Sequence, residues 1–173
     1  MSFPNKTSLA NFTQAMRELT GIELEADQCR VFRASTKRLT ASDGPELMIQ
    51  WWNIGERCES PIEKLMAWAM LGEGLTFDCQ VQLGDFTADF VIETQHVEIG
   101  ILKPLRQPLL KVVIECDGHE FHSTIKRQAR DRRIDRELQK AGYAVLRFTG
   151  SQINADPNHC AREVRNFIET RTA

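Results

Sequence analysis

The sequence predicts an α/β domain, and three stretches carry that expectation. Phe77 to Leu83 alternates apolar and polar residues, and after Gly84-Asp85 the chain returns through Phe86 to Ile92, the spacing of a β-hairpin. Lys111 to Asp117 opens on Val112, Val113 and Ile114, a β-branched run that reads as a buried strand. A charged helical stretch then separates it from a last apolar run, Tyr143 to Phe148. The predicted order is helix, strand, strand, strand, helix, strand, helix.

Size and composition fit this picture. A chain of 173 residues, 42% apolar and 27% charged, can bury a core without staples and has the make-up of an ordinary soluble protein. No apolar run approaches the ~20 residues of a membrane span, and Met-Ser-Phe-Pro-Asn-Lys does not read as a signal peptide. A cytoplasmic protein without a membrane partner is expected. The five cysteines (Cys29, Cys58, Cys79, Cys116 and Cys160) are scattered with no Cys-x-x-Cys pair, which argues for reduced thiols, not a zinc site or a disulfide framework.

The net charge of −2 conceals an asymmetry. Residues 1–100 hold 8 Lys+Arg against 15 Asp+Glu, whereas residues 120–173 hold 11 against 7. The basic charge follows directly on the acidic strand, so a polyanion has a place to bind despite the overall sign.

In chain order, Ser8 to Leu19 is an amphipathic helix by the spacing of Leu9, Phe12, Met16 and Leu19, and Gly21 closes it. Leu47 to Ile54, with Trp51 and Trp52, must bury against something that periodicity does not specify. Residues 1–58 read as an N-terminal helical extension, and 59–173 as the main domain. Ser60-Pro61-Ile62-Glu63 is a helix start, with Ser60 as N-cap, Pro61 at the first position and Glu63 completing a capping box. This helix runs to Gly72 or Gly74. Glu63 either caps only, or also points toward the acids described next.

In the hairpin, Phe77, Cys79, Val81 and Leu83 share a face, as do Phe86, Ala88, Phe90 and Ile92. Asp89 lies among apolar neighbours where β-propensity disfavours it, either facing solvent from an edge strand or serving a site. Glu93 to Leu109 is a polar excursion longer than a hairpin needs. On the third strand Glu115 and Asp117 point the same way, at a strand end followed by His119 and His122. Such carboxylates repel unless a cation or a proton lies between them, a costly arrangement that marks sites. Ser123 caps the next helix through Ala141, and Gly142 ends it. Its inward stripe is Arg127, Asp131, Ile134, Leu138 and Ala141, with Lys126, Arg130 and Arg133 on another face. Tyr143 to Phe148 is a buried strand, and Asp156-Pro157 starts the last helix.

Residues from about Ser60 to Ile168 resemble the restriction endonuclease-like, PD-(D/E)XK fold. The matching residues are Ser60-Pro61-Ile62-Glu63, Ala88-Asp89-Phe90, Val113 to Gly118, Phe121-His122, Arg130 to Asp135 and Gly142 to Phe148. Within it the chain looks most like the small branch of very-short-patch-repair-like endonucleases and DUF559 domains. The resemblance implies a core of three or four strands, or more, in a mixed sheet flanked by helices, and metal-dependent endonuclease activity on DNA in restriction, repair or mobile-element settings. It implies Mg²⁺ or Mn²⁺ as cofactor, held by Asp89, Glu115 and the Cys116 carbonyl, with Glu63 and Asp117 as further ligands. His122 would be the general base or acid. Asp117 stands where the family has lysine, so Lys126 or Arg127 would supply the positive charge, and Arg127, Arg130 and Arg133 would bind nucleic acid. A homodimer is an arrangement many enzymes of this fold adopt. The alternative is an inactive nuclease-fold module that binds nucleic acid or a protein partner.

Overall fold

The structure, a computed structural model, describes residues 14, 17–18, 52–94, 97–98, 105–106, 110–118 and 125–172. Its first long element is α1, Pro61–Gly72. Ser60 precedes it in extended backbone and its hydroxyl accepts the Glu63 N–H at 3.3 Å, while Pro61 occupies a position that needs no donor. Gly74, at φ +76°, closes the helix and lets the Leu75 N–H return to the Met70 carbonyl at 3.0 Å. Met66 to Met70 are all buried, so α1 is covered on more than one side. One cover is Trp52, in a helical segment at 52–56, whose ring stacks on Trp68 with centroids 5.4 Å apart. That contact answers what Trp52 buries against; Trp51 lies outside the described residues. Of the predicted Ser8 to Leu19 helix, Gln14, Arg17 and Glu18 are described, and they are helical.

The main sheet has four strands in the order β1-β2-β5-β6: Asp78–Leu83, Phe86–Thr94, Leu110–Asp117 and Tyr143–Thr149. β1, β2 and β5 are antiparallel neighbours, and β6 joins β5 in parallel. A parallel neighbour requires a crossover, which α2 (Ile125–Lys140) provides. The predicted 93–109 excursion includes a separate two-stranded sheet of β3 (Val97–Glu98) and β4 (Leu105–Arg106). After β6 come α3 (Gly150–Ala155) and α4 (Pro157–Thr172).

Two apolar layers enclose the sheet. Phe90, Ile92, Val112, Ile114 and Phe148 pack with Met66 and Met70 of α1, Ile153 of α3 and Val164 of α4. Val91, Val113 and Val145, on the opposite face, pack with Ile134 and Leu138 of α2. The chain therefore forms a mixed sheet with helices on both faces, the restriction endonuclease-like architecture expected.

Four expectations need correction. The hairpin does not keep one apolar face: Cys79, Phe90 and Ile92 belong to the α1 layer, whereas Val81, Leu83, Phe86 and Ala88 belong to the α2 layer. The change occurs where the register skips Gln80 and Asp89, and Gln80 there has φ +52°, outside normal strand geometry. Second, β6 is mostly half-buried because it lies at the edge of the sheet. Third, α3 was not expected. Thr149 and Gln152 form a reciprocal capping box that starts it, a signal present in the sequence. Fourth, the α2 stripe narrows to Ile134 and Leu138, with Ala141 exposed beyond the helix end. The Arg127 side chain lies outside what is described.

Candidate active site

The site begins where two strands stop pairing in the ordinary way. The β2–β5 ladder runs from Thr94↔Leu110 to Phe90↔Ile114. The next positions in that register are Asp89 and Glu115, and there side chains replace the backbone ladder. The Asp89 N–H donates to Glu115 Oε1 at 3.3 Å, and the Cys116 N–H donates to Asp89 Oδ2 at 2.7 Å. Each acid supplies the acceptor that the parted strands no longer offer each other, as buried N–H groups require. Glu115 is only 8% exposed, and Asp89 is half-buried.

Both acids hold their protons more tightly than usual. Burial, then the neighbouring Asp89 charge, pushes Glu115 up to about 8; the Asp89 hydrogen bond and the Arg147 guanidinium pull the other way. Burial likewise raises Asp89 to about 6, reinforced by the charges of Glu63, Asp117 and Glu59 and opposed by the Cys116 N–H. The pair is short of positive charge.

Glu63, buried at 6% exposure, stands near this pair on the first turn of α1. Its carboxylate accepts the Glu59 N–H at 2.8 Å, the Ser60 hydroxyl at 2.5 Å and the Gln80 side-chain amide at 2.8 Å. Glu63 is thus more than a cap: it ties the start of α1 to the strand position opposite Asp89. The bend at Gln80 accompanies that tie.

Asp117 is half-exposed at the strand end and turns to Arg147, whose Nη1 donates to its Oδ1 at 3.3 Å. The same nitrogen lies 4.0 Å from Glu115 Oε2, and Arg147 Nη2 donates to Asp135 Oδ1 of α2 at 2.8 Å. Arg147 is the residue that sequence reasoning missed. Its signal was present: it is the one charged residue in the Tyr143 to Phe148 run, on the face of Val113 and Val145. The cation between Glu115 and Asp117 therefore comes from β6.

The other expected site residues are placed unevenly. The Cys116 thiol is pushed up by burial and the surrounding carboxylates, so it stays protonated and offers no thiolate. Arg130 and Arg133 are exposed on α2 and line a cleft of about 590 Å³ with Leu83, Phe86 and Tyr143, under the hairpin tip. Lys126 and Arg127 fall within α2, but their side chains lie outside what is described, as do His119 and His122 entirely. Among the described residues, no three of His, Cys, Asp and Glu gather closely enough to hold one ion together. What they offer is a pair of hard carboxylates.

A family model described as REase_MTES_1575 matches residues 63–168. The chain belongs to this restriction endonuclease-like family. No curated protein matches the chain, and no solved structure does. The REase_MTES_1575 span opens on Glu63 and encloses Asp89, Glu115, Asp117 and Arg147. It ends within α4, so the family's shared part is the sheet, its covering helices and the acids between them. Trp52 and the segment that carries it lie before it. Among the described residues no helix is long and apolar enough to cross a membrane.

Proposed function

We propose that this chain is a metal-dependent endonuclease that hydrolyses phosphodiester bonds in DNA. One observation carries the reading. The bonds that Asp89 and Glu115 make across the parted strands need only acceptor oxygens, which Asn and Gln would provide without repulsion. Two acids in that place cost stability, and a divalent cation is what would return it.

The donor chemistry fits Mg²⁺ or Mn²⁺. Mg²⁺ binds through one or two carboxylates and keeps several waters, so a pair of acids suffices without a third protein ligand. Asp89 and Glu115 would hold it, with the Cys116 carbonyl beside them. The ion would supply an activated water and neutralise charge building on the scissile phosphate. Glu63 and Gln80, bonded to each other, tie the start of α1 to the strand position opposite Asp89. Arg130 and Arg133, exposed on α2, would meet the phosphate backbone. His122 remains the proposed acid or base, with Lys126 and Arg127 as further phosphate contacts. The Glu115-Cys116-Asp117-Gly118 run supports a place near the very-short-patch-repair-like and DUF559 branch.

Arg147 favours a rival reading, because it already pairs with Glu115 and Asp117 as a purely structural salt bridge would. On that reading the chain is an inactive module that binds nucleic acid or a protein. Plasmid and single-stranded DNA cleavage with Mg²⁺, Mn²⁺ or EDTA decides between them. Metal-dependent nicking that Asp89→Asn and Glu115→Gln both abolish is the expected result. No cleavage of any substrate, with no Mn²⁺ bound by calorimetry, overturns the nuclease reading.

A further inference from the structure

We infer that Arg147 is the positioning residue of the carboxylate site, an inference that rests on the nuclease reading above. Its place is set by the parallel ladder, which pairs Arg147 with Glu115 and sends both side chains to the α2 face. Asp135 then takes Nη2 at 2.8 Å from α2, which fixes the plane of the guanidinium. With that edge held, Nη1 is aimed at β5, 3.3 Å from Asp117 Oδ1 and 4.0 Å from Glu115 Oε2.

This divides the labour of Glu115 oxygen by oxygen. Oε1 takes the Asp89 N–H and Oε2 faces the Arg147 charge at 4.0 Å, so the two oxygens have different partners that favour one orientation of the carboxylate. A simple brace between β6 and α2 would need Asp135 alone. The reach of Nη1 across two acids of β5 is unexplained by such a brace. It is explained if the acids must keep one orientation for a ligand. Arg147 thus brings a positive charge from β6 to the two acids of β5. Removing an outer partner of this kind costs about 10- to 100-fold in metal affinity or activity.

The test compares wild type, Arg147→Gln, Arg147→Lys and Asp135→Asn. Mn²⁺ binding is read by calorimetry, kcat and KM on a cleavable DNA, and folding by circular dichroism and thermal melting. Coulomb's law alone would have Mn²⁺ bind more tightly once a like charge is gone. Positioning gives the opposite. Arg147→Gln is expected to weaken Mn²⁺ binding and lower kcat, by about 10-fold or more, with KM within about twofold. Arg147→Lys should recover part of the loss. Asp135→Asn, which keeps an acceptor oxygen for Nη2 and removes only the anchor's charge, should show a smaller effect in the same direction, and it serves if Arg147→Gln does not fold. Tighter or unchanged Mn²⁺ binding with unchanged kcat overturns the inference. So does a lowered melting temperature with wild-type binding and kinetics. If wild type itself neither binds Mn²⁺ nor cleaves, the nuclease reading fails first, and that result is distinct from an active wild type matched by its variants.

Discussion

Asp89 and Glu115 are joined by a backbone-to-side-chain hydrogen bond, Asp89 N–H to Glu115 Oε1 at 3.3 Å, where a ladder bond between β2 and β5 would be expected. On the proposed function the acids are therefore both the chemistry and part of the sheet. Variants at these positions should separate the two roles. Asp89→Asn and Glu115→Gln keep an acceptor oxygen and are expected to lose cleavage while melting at or above wild type. Asp89→Ala also strands the Cys116 N–H, and should cost about 1–3 kcal/mol relative to Asp89→Asn. Chemical denaturation of the four proteins, beside the cleavage assay, checks both halves.

Stability without metal should depend on pH in an unusual direction. Asp89 rises from 3.8 to about 6 and Glu115 from 4.5 to about 8 on folding. Between the ordinary and the raised values the folded chain holds protons that the unfolded chain has released. Folding stability from these groups is therefore greatest at the acid end and falls as pH rises, up to about 8. Melting temperatures in EDTA, read from pH 5 to 8, should decline, and Glu115→Gln should flatten the decline. A melting temperature that climbs over this range in wild type and variant alike would contradict the assignment.

Gln80 should matter more than its strand position suggests. Its amide donates to the buried Glu63 carboxylate at 2.8 Å, and hydrogen bonds to charged groups contribute about 1.5–3 kcal/mol. Gln80→Ala removes that bond and keeps the φ +52° backbone, so a loss of that order is expected in urea unfolding.

The indole of Trp68 leaves no room at Gly55. A Cβ there would come within 2.7 Å of the ring, which is fully buried and stacked on Trp52. Gly55→Ala should destabilise the chain by about 1–3 kcal/mol, with the tryptophan fluorescence spectrum shifted in the folded state. Cleavage per folded molecule should be unchanged, since Gly55 itself lies before the family's span.

Much of this architecture was legible because local rules and global fold agree. Ser60-Pro61 marks the start of α1, Gly84-Asp85 marks the hairpin, and the Val112 to Ile114 run marks the central strand. The acids Asp89 and Glu115 were legible for the opposite reason, since each breaks the propensity of its strand. Period-two reading failed at Gln80, because alternation assumes an unbroken pleat and a single positive φ moves the hairpin tip to the other layer. Arg147 escaped because its partners, Glu115, Asp117 and Asp135, are 12 to 32 positions away and only the parallel pairing of β5 and β6 brings them together. Edge burial of β6 is likewise a property of strand order, which no single stretch encodes.

The gap in the β2–β5 ladder also bears on how such a protein can change by descent. On the proposed function, a lineage released from selection for cleavage would not shed its two acids at random, because alanine there leaves a backbone N–H of the neighbouring strand without its acceptor. The substitutions open to drift are the two amides, which keep the sheet joined and end the repulsion. A relative carrying Asn and Gln at these two positions would then be a retired nuclease, more stable than its working ancestor.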